Sequence, residues 1–271
     1  MTLKEKLASC SATGTALLAA NFYNFETLKG LLLGAKEAGS PLILQLSESS
    51  LQYLGIHTAA DMAHSLMKEL DVTAWLHLDH GSNLHTIREC LDAGFDSVMI
   101  DASESSFNEN VRITNEVMKM AAPYGANVEA ELGYIAKLGQ QQQAEPTSAA
   151  DARLFEEATG VHALAIAIGN AHGFYKDPPQ LRLDRLSEIR AVTRCALVFH
   201  GSSGIPDQSL HQAVRMGISK INLATETKNT FMKKLQSLLA GNNEIDLRKI
   251  FPEAILEVQH LISGKLKVIN L

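Results

Sequence analysis

At 271 residues, 46% hydrophobic and 20% charged, the chain is long for an ordinary domain but suits a single α/β barrel over residues 1–271. A net charge of −6 without a basic run argues against nucleic acid as a partner. Three cysteines, Cys10, Cys90 and Cys195, form no disulfide framework, and their odd count suits a reducing compartment; none sits in a C-x-x-C pair, which argues against thiolate metal binding. The first apolar run, residues 16–20, is too short for a signal core, and no stretch approaches a membrane span, so the expectation is a cytoplasmic enzyme.

Strand-like and helix-like stretches then alternate. Residues 15–21 (TALLAAN) read as a first strand. Leu28, Leu31, Leu32 and Ala35 at helical spacing predict a helix over 25–38, stopped by Gly39. A strand over 41–47 and a helix over 58–70 follow. Residues 73–78 form the third strand and 83–93 a helix ended by Gly94; the fourth strand covers 97–101, with a helix over 108–122 closed by Pro123. The fifth strand is 126–132. A polar stretch, 139–150, contains four consecutive glutamines and reads as a solvated loop or an active-site lid. A helix over 151–159, a buried strand over 163–168, a helix over 183–192, a strand over 196–199 and a helix over 207–216 come next. The eighth strand is 218–223, its helix 226–239, and an amphipathic segment over 252–262 closes the chain.

Eight strands each followed by a helix predict a (β/α)₈ TIM barrel, and no Pro/Gly/Ser-rich linker divides it. An open doubly wound sheet is the alternative, but no G-x-G-x-x-G follows the first strand.

Polar residues recur where strands run into the following loops: Asp79-His80-Gly81, Glu129 and Glu131, Asn170-Ala171-His172-Gly173, His200-Gly201-Ser202-Ser203-Gly204, and Asn222 to Thr225. In a barrel these face the rim where active sites are built. Three histidines on separate strand ends, His80, His172 and His200, suit zinc, whose catalytic sites take three protein ligands and leave a position open. Each directly precedes a glycine, which lets backbone approach a ligand. His57, His64, His77, His85, His162 and His211 read as structural. Asp79 is either a partner that orients a histidine or a proton-transfer group. Neighbouring strand residues point opposite ways, so Asp79 and His80 share a cavity only if the strand ends there. Glu129 and Glu131 share a face, one expected at the site and the other in the wall. The turns after strands seven and eight occupy the position where many barrels hold a phosphate.

Together these motifs resemble the class II, zinc-dependent ketose-bisphosphate aldolases along nearly the whole chain, most closely the shorter tagatose-bisphosphate type. The resemblance rests on LHLDHG (76–81), VEAELG (128–133), AIGNAHG (167–173), HGSSG (200–204) and INLATE (221–226). It implies zinc on His80, His172 and His200, with Asp79 moving the proton of the C4 hydroxyl and Glu131 in a supporting or metal-relay role. It further implies that Gly173, Gly201, Ser202, Ser203, Asn222, Leu223, Ala224 and Thr225 surround the phosphorylated three-carbon ketone. A monovalent cation (Na⁺ or K⁺) beside the phosphate, a phosphorylated sugar as substrate and a homodimer or homotetramer are implied as well.

Three features depart from the family pattern. The acidic loop residue expected after E-L-G is missing from Gly133 to Gln140, with Glu145 the substitute. Ser202 holds the third position of a motif that usually reads H-G-G-S or H-G-A-S. The C-terminal stretch 265–271 lacks an arginine-bearing segment for a second phosphate. This leaves open a sulfonated, sugar-acid-derived or otherwise non-phosphorylated aldehyde half. A zinc hydrolase using metal-bound hydroxide and a non-catalytic barrel subunit are the competing readings.

Overall fold

The eight strands pair in chain order, all parallel, and the last pairs with the first, closing a barrel in this computed structural model. The structure describes residues 1–133, 135, 146–175 and 179–270. In chain order the elements are α1 (Leu3–Thr13), β1 (Leu17–Asn21), α2 (Phe25–Ala38), β2 (Leu42–Ser47), α3 (Glu48–Leu54), α4 (Ile56–Leu70), β3 (Ala74–Gly81), α5 (Leu84–Asp92), β4 (Ser97–Ile100) and α6 (Phe107–Ala121). Then come β5 (Asn127–Leu132), α7 (Ala149–Thr159), β6 (Ala163–Ile166), α8 (Leu183–Val192), β7 (Ala196–Phe199), α9 (Asp207–Arg215), β8 (Ile218–Leu223), α10 (Thr225–Leu239) and α11 (Leu247–Ile269). No helix among the described residues is long and apolar enough to cross a membrane.

The strand alternation sorts side chains into two apolar clusters. Outward residues such as Leu44, Leu76, Val128 and Leu197 pack under the helices, while Leu17, Ile43, Trp75, Ala163 and Ala196 form a smaller cluster inside the barrel. Leu3, Leu7 and Cys10 of α1 join that inner cluster and seal the N-terminal end. Helix α1 was not foreseen from the sequence. Its signals are present: Thr2 and Glu5 form a capping box, and Gly14 ends it in the left-handed conformation.

Several boundaries differ from expectation. β3 runs on through Gly81 rather than stopping at Leu78, with an irregular register between Leu78 and Gly81. β6 stops at Ile166, two residues early. Ser47 caps the short helix α3, which has no counterpart among the elements expected from the sequence. α11 is twice as long as expected and carries Pro252 inside, because burial of Ala254, Val258, Ile262 and Leu266 along one face outweighs the lost backbone bond. Of the polar stretch 139–150, residues 139–145 lie outside the described residues; Thr147 N–H donates to the Ala167 carbonyl, and α7 starts at Ala149.

His162 ties three strands together at the sealed end. Its Nδ1 accepts from Val128 N–H at 3.0 Å, and its carbonyl accepts from Ala196 N–H. Burial and the charge of Lys4 lower the imidazole to about 4. The unfolded chain takes up this proton near 6.5, the fold only near 4, so stability present above pH 6.5 drains away as pH falls from 6.5 to 4. Urea unfolding of wild type between pH 4 and 7 is expected to show this slope, and His162→Asn to flatten it. Equal slopes in the two proteins would contradict the assignment.

Candidate metal and substrate site

Inward-facing positions turn polar toward the C-terminal rim. β1 reads Leu17, Ala19, Asn21; β2 reads Ile43, Gln45, Ser47; β3 reads Trp75, His77, Asp79. β5 carries Glu129 and Glu131 opposite Ala163 and Ala165 of β6, small residues that leave room for the carboxylates.

His80 breaks the strand alternation. Its φ of +51° is left-handed, unusual for a residue with a side chain, and lies within the irregular register of β3. This turn allows Asp79 and His80, adjacent in sequence, to line one cavity. The expectation that they share it only where the strand ends is thereby replaced: the strand bulges instead of stopping.

The rings of His80, His172 and His200 converge, with centroid separations of 4.9, 4.8 and 5.7 Å. One ligand atom from each, together with a Glu131 carboxylate oxygen, falls within 4.8 Å of the others. His80 Nδ1 lies 2.8 Å from Asp101 Oδ2, and His200 Nε2 lies 2.9 Å from Glu129 Oε1. Carboxylates accept, so those two nitrogens carry the protons. The remaining nitrogens, His80 Nε2 and His200 Nδ1, then face each other as lone pairs 3.0 Å apart. Such an arrangement is repulsive unless a proton or a cation sits between them, and it is the donor set of a nitrogen-ligated zinc with oriented imidazoles. The residues present fit the metal.

The electrostatics agree. Burial holds His200 well below its ordinary value, keeping it a neutral donor. Burial opposes charge on His80, but Asp79, Asp101 and Glu131 outweigh it and push the imidazole up to about 9, favouring positive charge at this spot. Burial and the Asp101 charge push Glu131 up to about 8; its Oε1 accepts from Ile135 N–H and its Oε2 has no partner among the described residues. Burial would raise Asp79, yet His80 leads the groups that bring it below its usual value, so it is ionised at neutral pH. Asn21 Nδ2 donates to one Asp79 oxygen at 2.9 Å and Asn222 Nδ2 to the other at 3.3 Å; Gln45 steadies Asn21.

Beside this cluster lie two connected spaces. A narrow cleft of about 50 Å³ is lined by Gly173, Gly201, Ser203, Asn222, Ala224 and Thr225 together with His172. A wider cavity of about 800 Å³ opens outward past Asp101, Ser103, Tyr23 and Lys228. Gly201 has φ +68°, and a Cβ there would lie 2.1 Å from the Ala171 carbonyl, so only glycine lets the β6 and β7 loops close up. The Tyr175 hydroxyl staples the same loops, 2.6 Å from Ala171 N and 2.9 Å from Gly201 O. Helix α10 starts at Thr225 without a side-chain cap, and Ser203 Oγ accepts from Glu226 N–H at 3.0 Å.

Two residues expected around the ketone use their side chains elsewhere. Leu223 lies in the outer core, 1% exposed, because β8 points it toward the helices. The Ser202 hydroxyl donates to the Asn222 carbonyl at 2.5 Å and joins strands seven and eight. Neither side chain lines the cleft. Conversely, sequence reasoning missed Asn21, Gln45, Asp101 and the link from Glu129 to His200. The period-two stripe would have exposed Asn21 and Gln45; Asp101 ends the predicted fourth strand. Glu145 lies outside the described residues.

Comparison with known proteins gives concordant matches. The family model for class-II fructose-bisphosphate aldolase matches residues 1–271. The fructose-bisphosphate aldolase of Geobacillus stearothermophilus is 38% identical over 274 aligned positions, 98% of this chain and 96% of that protein. Its Staphylococcus aureus N315 counterpart is 36% identical at the same coverage. The crystal structure of the YdjI aldolase from Escherichia coli K12 superposes with a TM-score of 0.87 at 30% identity, covering 98% of this chain and 96% of that one. Campylobacter jejuni fructose-bisphosphate aldolase, at 23% identity, 99% and 95% coverage and a TM-score of 0.84, bears on the fold alone.

Asp101→Ala removes the acceptor that fixes His80. Zinc affinity, read by competition with a chromogenic chelator, is expected to drop roughly 10–100-fold. Unchanged affinity would count against His80 as a ligand.

Proposed function

Since the chain belongs to the class II fructose-bisphosphate aldolase family, we propose that it reversibly cleaves a phosphorylated ketose into dihydroxyacetone phosphate and an aldehyde, with His80, His172 and His200 as the metal ligands and Asp79 as the proton carrier. The enzyme is a class II aldolase, a carbon–carbon lyase. The observation that carries the residue assignment is the facing pair of imidazole lone pairs with an ionised, doubly held Asp79 beside it.

Zn²⁺ on the three histidines would supply Lewis-acid polarisation of the ketose oxygens. Asp79 accepts the C4 hydroxyl proton, held toward the cavity by Asn21 and Asn222. As that oxygen becomes a carbonyl, the C3–C4 bond breaks, the aldehyde departs, and C3 keeps the electron pair until it is reprotonated. Glu131, pushed up to about 8, holds a proton at neutral pH, which suits a supporting role. The phosphate belongs in the narrow cleft, at the start of α10, where Ser203 already engages the Glu226 N–H and the helix dipole and glycine turns favour a dianion. Ser203, Asn222 and Thr225 line it. Lys220, the buried lysine of the barrel interior among the described residues, is committed to Glu129 and so is not offered as an amine for a Schiff base.

The names of the relatives make fructose 1,6-bisphosphate the first substrate to assay. A monovalent cation beside the phosphate and a homodimer or homotetramer, both resting on the family resemblance, and a cytoplasmic location, resting on the cysteine usage, complete the reading.

A coupled assay for dihydroxyacetone phosphate tests it. Chelation is expected to abolish turnover and zinc to restore it. Asp79→Ala should keep the metal yet lose about 10²–10⁴ in rate, the usual share of a positioned proton carrier. Full activity in metal-free protein would remove the proposal.

A further inference from the structure

Beneath the metal ligands, the barrel interior carries a hydrogen-bonded chain in place of the branched apolar layers usual there. Lys220 on β8 is 0% exposed, and its Nζ donates to Glu129 Oε2 at 2.7 Å. Glu129 Oε1 in turn accepts from His200 Nε2 at 2.9 Å. On its other side Lys220 Nζ lies 3.4 Å from His77 Nε2, and His77 Nδ1 lies 2.7 Å from Ser97 Oγ, which also accepts from Asn127 Nδ2 at 3.0 Å. The polarity of the chain follows from the lysine. An ammonium only donates, so His77 Nε2 is the accepting nitrogen and Nδ1–H points to Ser97. With one Glu129 oxygen taken by the ammonium, the other is left for His200 Nε2–H, and His200 Nδ1 is left bare toward the rim.

We infer that Lys220 is a positioning residue for the metal centre: acting through Glu129, it fixes His200 in the tautomer and orientation whose Nδ1 faces the ion. This rests on the reading of His200 as a ligand. Lys220 does not touch the rim itself. Its work is to give Glu129 a second partner, so that a carboxylate fully inside the barrel stays aimed at His200. A buried ion pair is poor at stabilising a fold, since apolar residues of similar volume usually do as well. Four strands nevertheless contribute to this chain, β3, β4, β5 and β8, and it ends on the ligand from β7. That convergence points to the histidine as its purpose.

The test uses the full chain stripped of metal. Zinc affinity by chelator competition and histidine ¹⁵N shifts by long-range ¹H–¹⁵N spectra are measured for wild type, Lys220→Met, Glu129→Gln and the double variant. Each single change is expected to weaken zinc binding roughly 10–100-fold and to lose the single fixed Nε2–H tautomer of His200. The double variant should be no weaker than the poorer single one, because the two residues act as a unit. Lys220→Met with zinc affinity within about twofold of wild type and an unchanged His200 spectrum, whatever its melting temperature, would overturn the inference, as would fully additive losses. If Lys220→Met does not fold, Lys220→Met/Glu129→Leu, an apolar swap of the pair, serves instead: folded protein with weakened zinc binding supports the inference, and wild-type affinity overturns it. A wild-type protein that takes up no zinc would instead defeat the metal reading, an outcome separable from both.

Discussion

Two imidazole nitrogens facing each other 3.0 Å apart, with room between them only for a proton or a cation, are the constraint around which the rim is built. Each is turned to the rim because the other nitrogen of its ring is spent on a carboxylate, Asp101 for His80 and Glu129 for His200. Lone pairs held this way repel, and the rim supplies what offsets the repulsion: carboxylates that favour positive charge there, and a third imidazole from the β6 loop. His80 and His200 are 120 residues apart in the chain, so the arrangement exists only once the barrel has closed. Fold and metal affinity are therefore coupled; an ion that binds the closed barrel stabilises it by mass action.

The barrel can carry this because its interior is graded. At the sealed end α1 plugs the barrel with leucines, and the polar inward groups there are uncharged, as with Asn127, whose Nδ2 donates to Ser97. One layer up, charges appear, but Glu129 and Lys220 answer each other. At the rim Glu131 has an oxygen without a partner among the described residues, and Asp79 is positioned by two neutral amides with the His80 ring beside it. Charged groups thus gather toward the cavity where substrate belongs. Burial of such groups costs stability unless something fills the site.

The sequence made much of this legible. Helices α2 and α8 and strands β7 and β8 fall on their expected residues because their apolar spacing and stop signals agree. The three histidines stood out through the glycines that follow them. Other features could not be read locally. Whether β3 ends or bulges depends on β4 pairing with both Leu78 and Gly81. Glu129 and Glu131 are equivalent by period, yet their roles differ because Lys220, 91 residues away, meets only the lower one. Leu223 sits between Asn222 and Ala224, which line the cleft, but strand alternation turns its side chain, like that of Ile221, into the core. Spacing finds the residues that share a face; it does not say which of them a distant strand will engage.

The dipeptide Asp79-His80 shows what the site requires of the backbone. A regular strand would send one side chain into the cavity and the other under α5 or α4, separating the proton carrier from the metal ligand by the thickness of the wall. Placing both in one cavity demands a residue in left-handed conformation, and a non-glycine residue there costs roughly 1–3 kcal/mol. The surrounding contacts offset it: Asp101 holds the His80 ring, Gly81 resumes pairing with Ile100, and Gly81 N-terminal neighbours stay bonded to β2. Glycine at position 81 is needed for the same reason, since a Cβ would lie 2.6 Å from the Met99 carbonyl. The strain sits where a carboxylate and an imidazole must act on one substrate from consecutive positions, and the barrel wall around it is what makes that conformation hold.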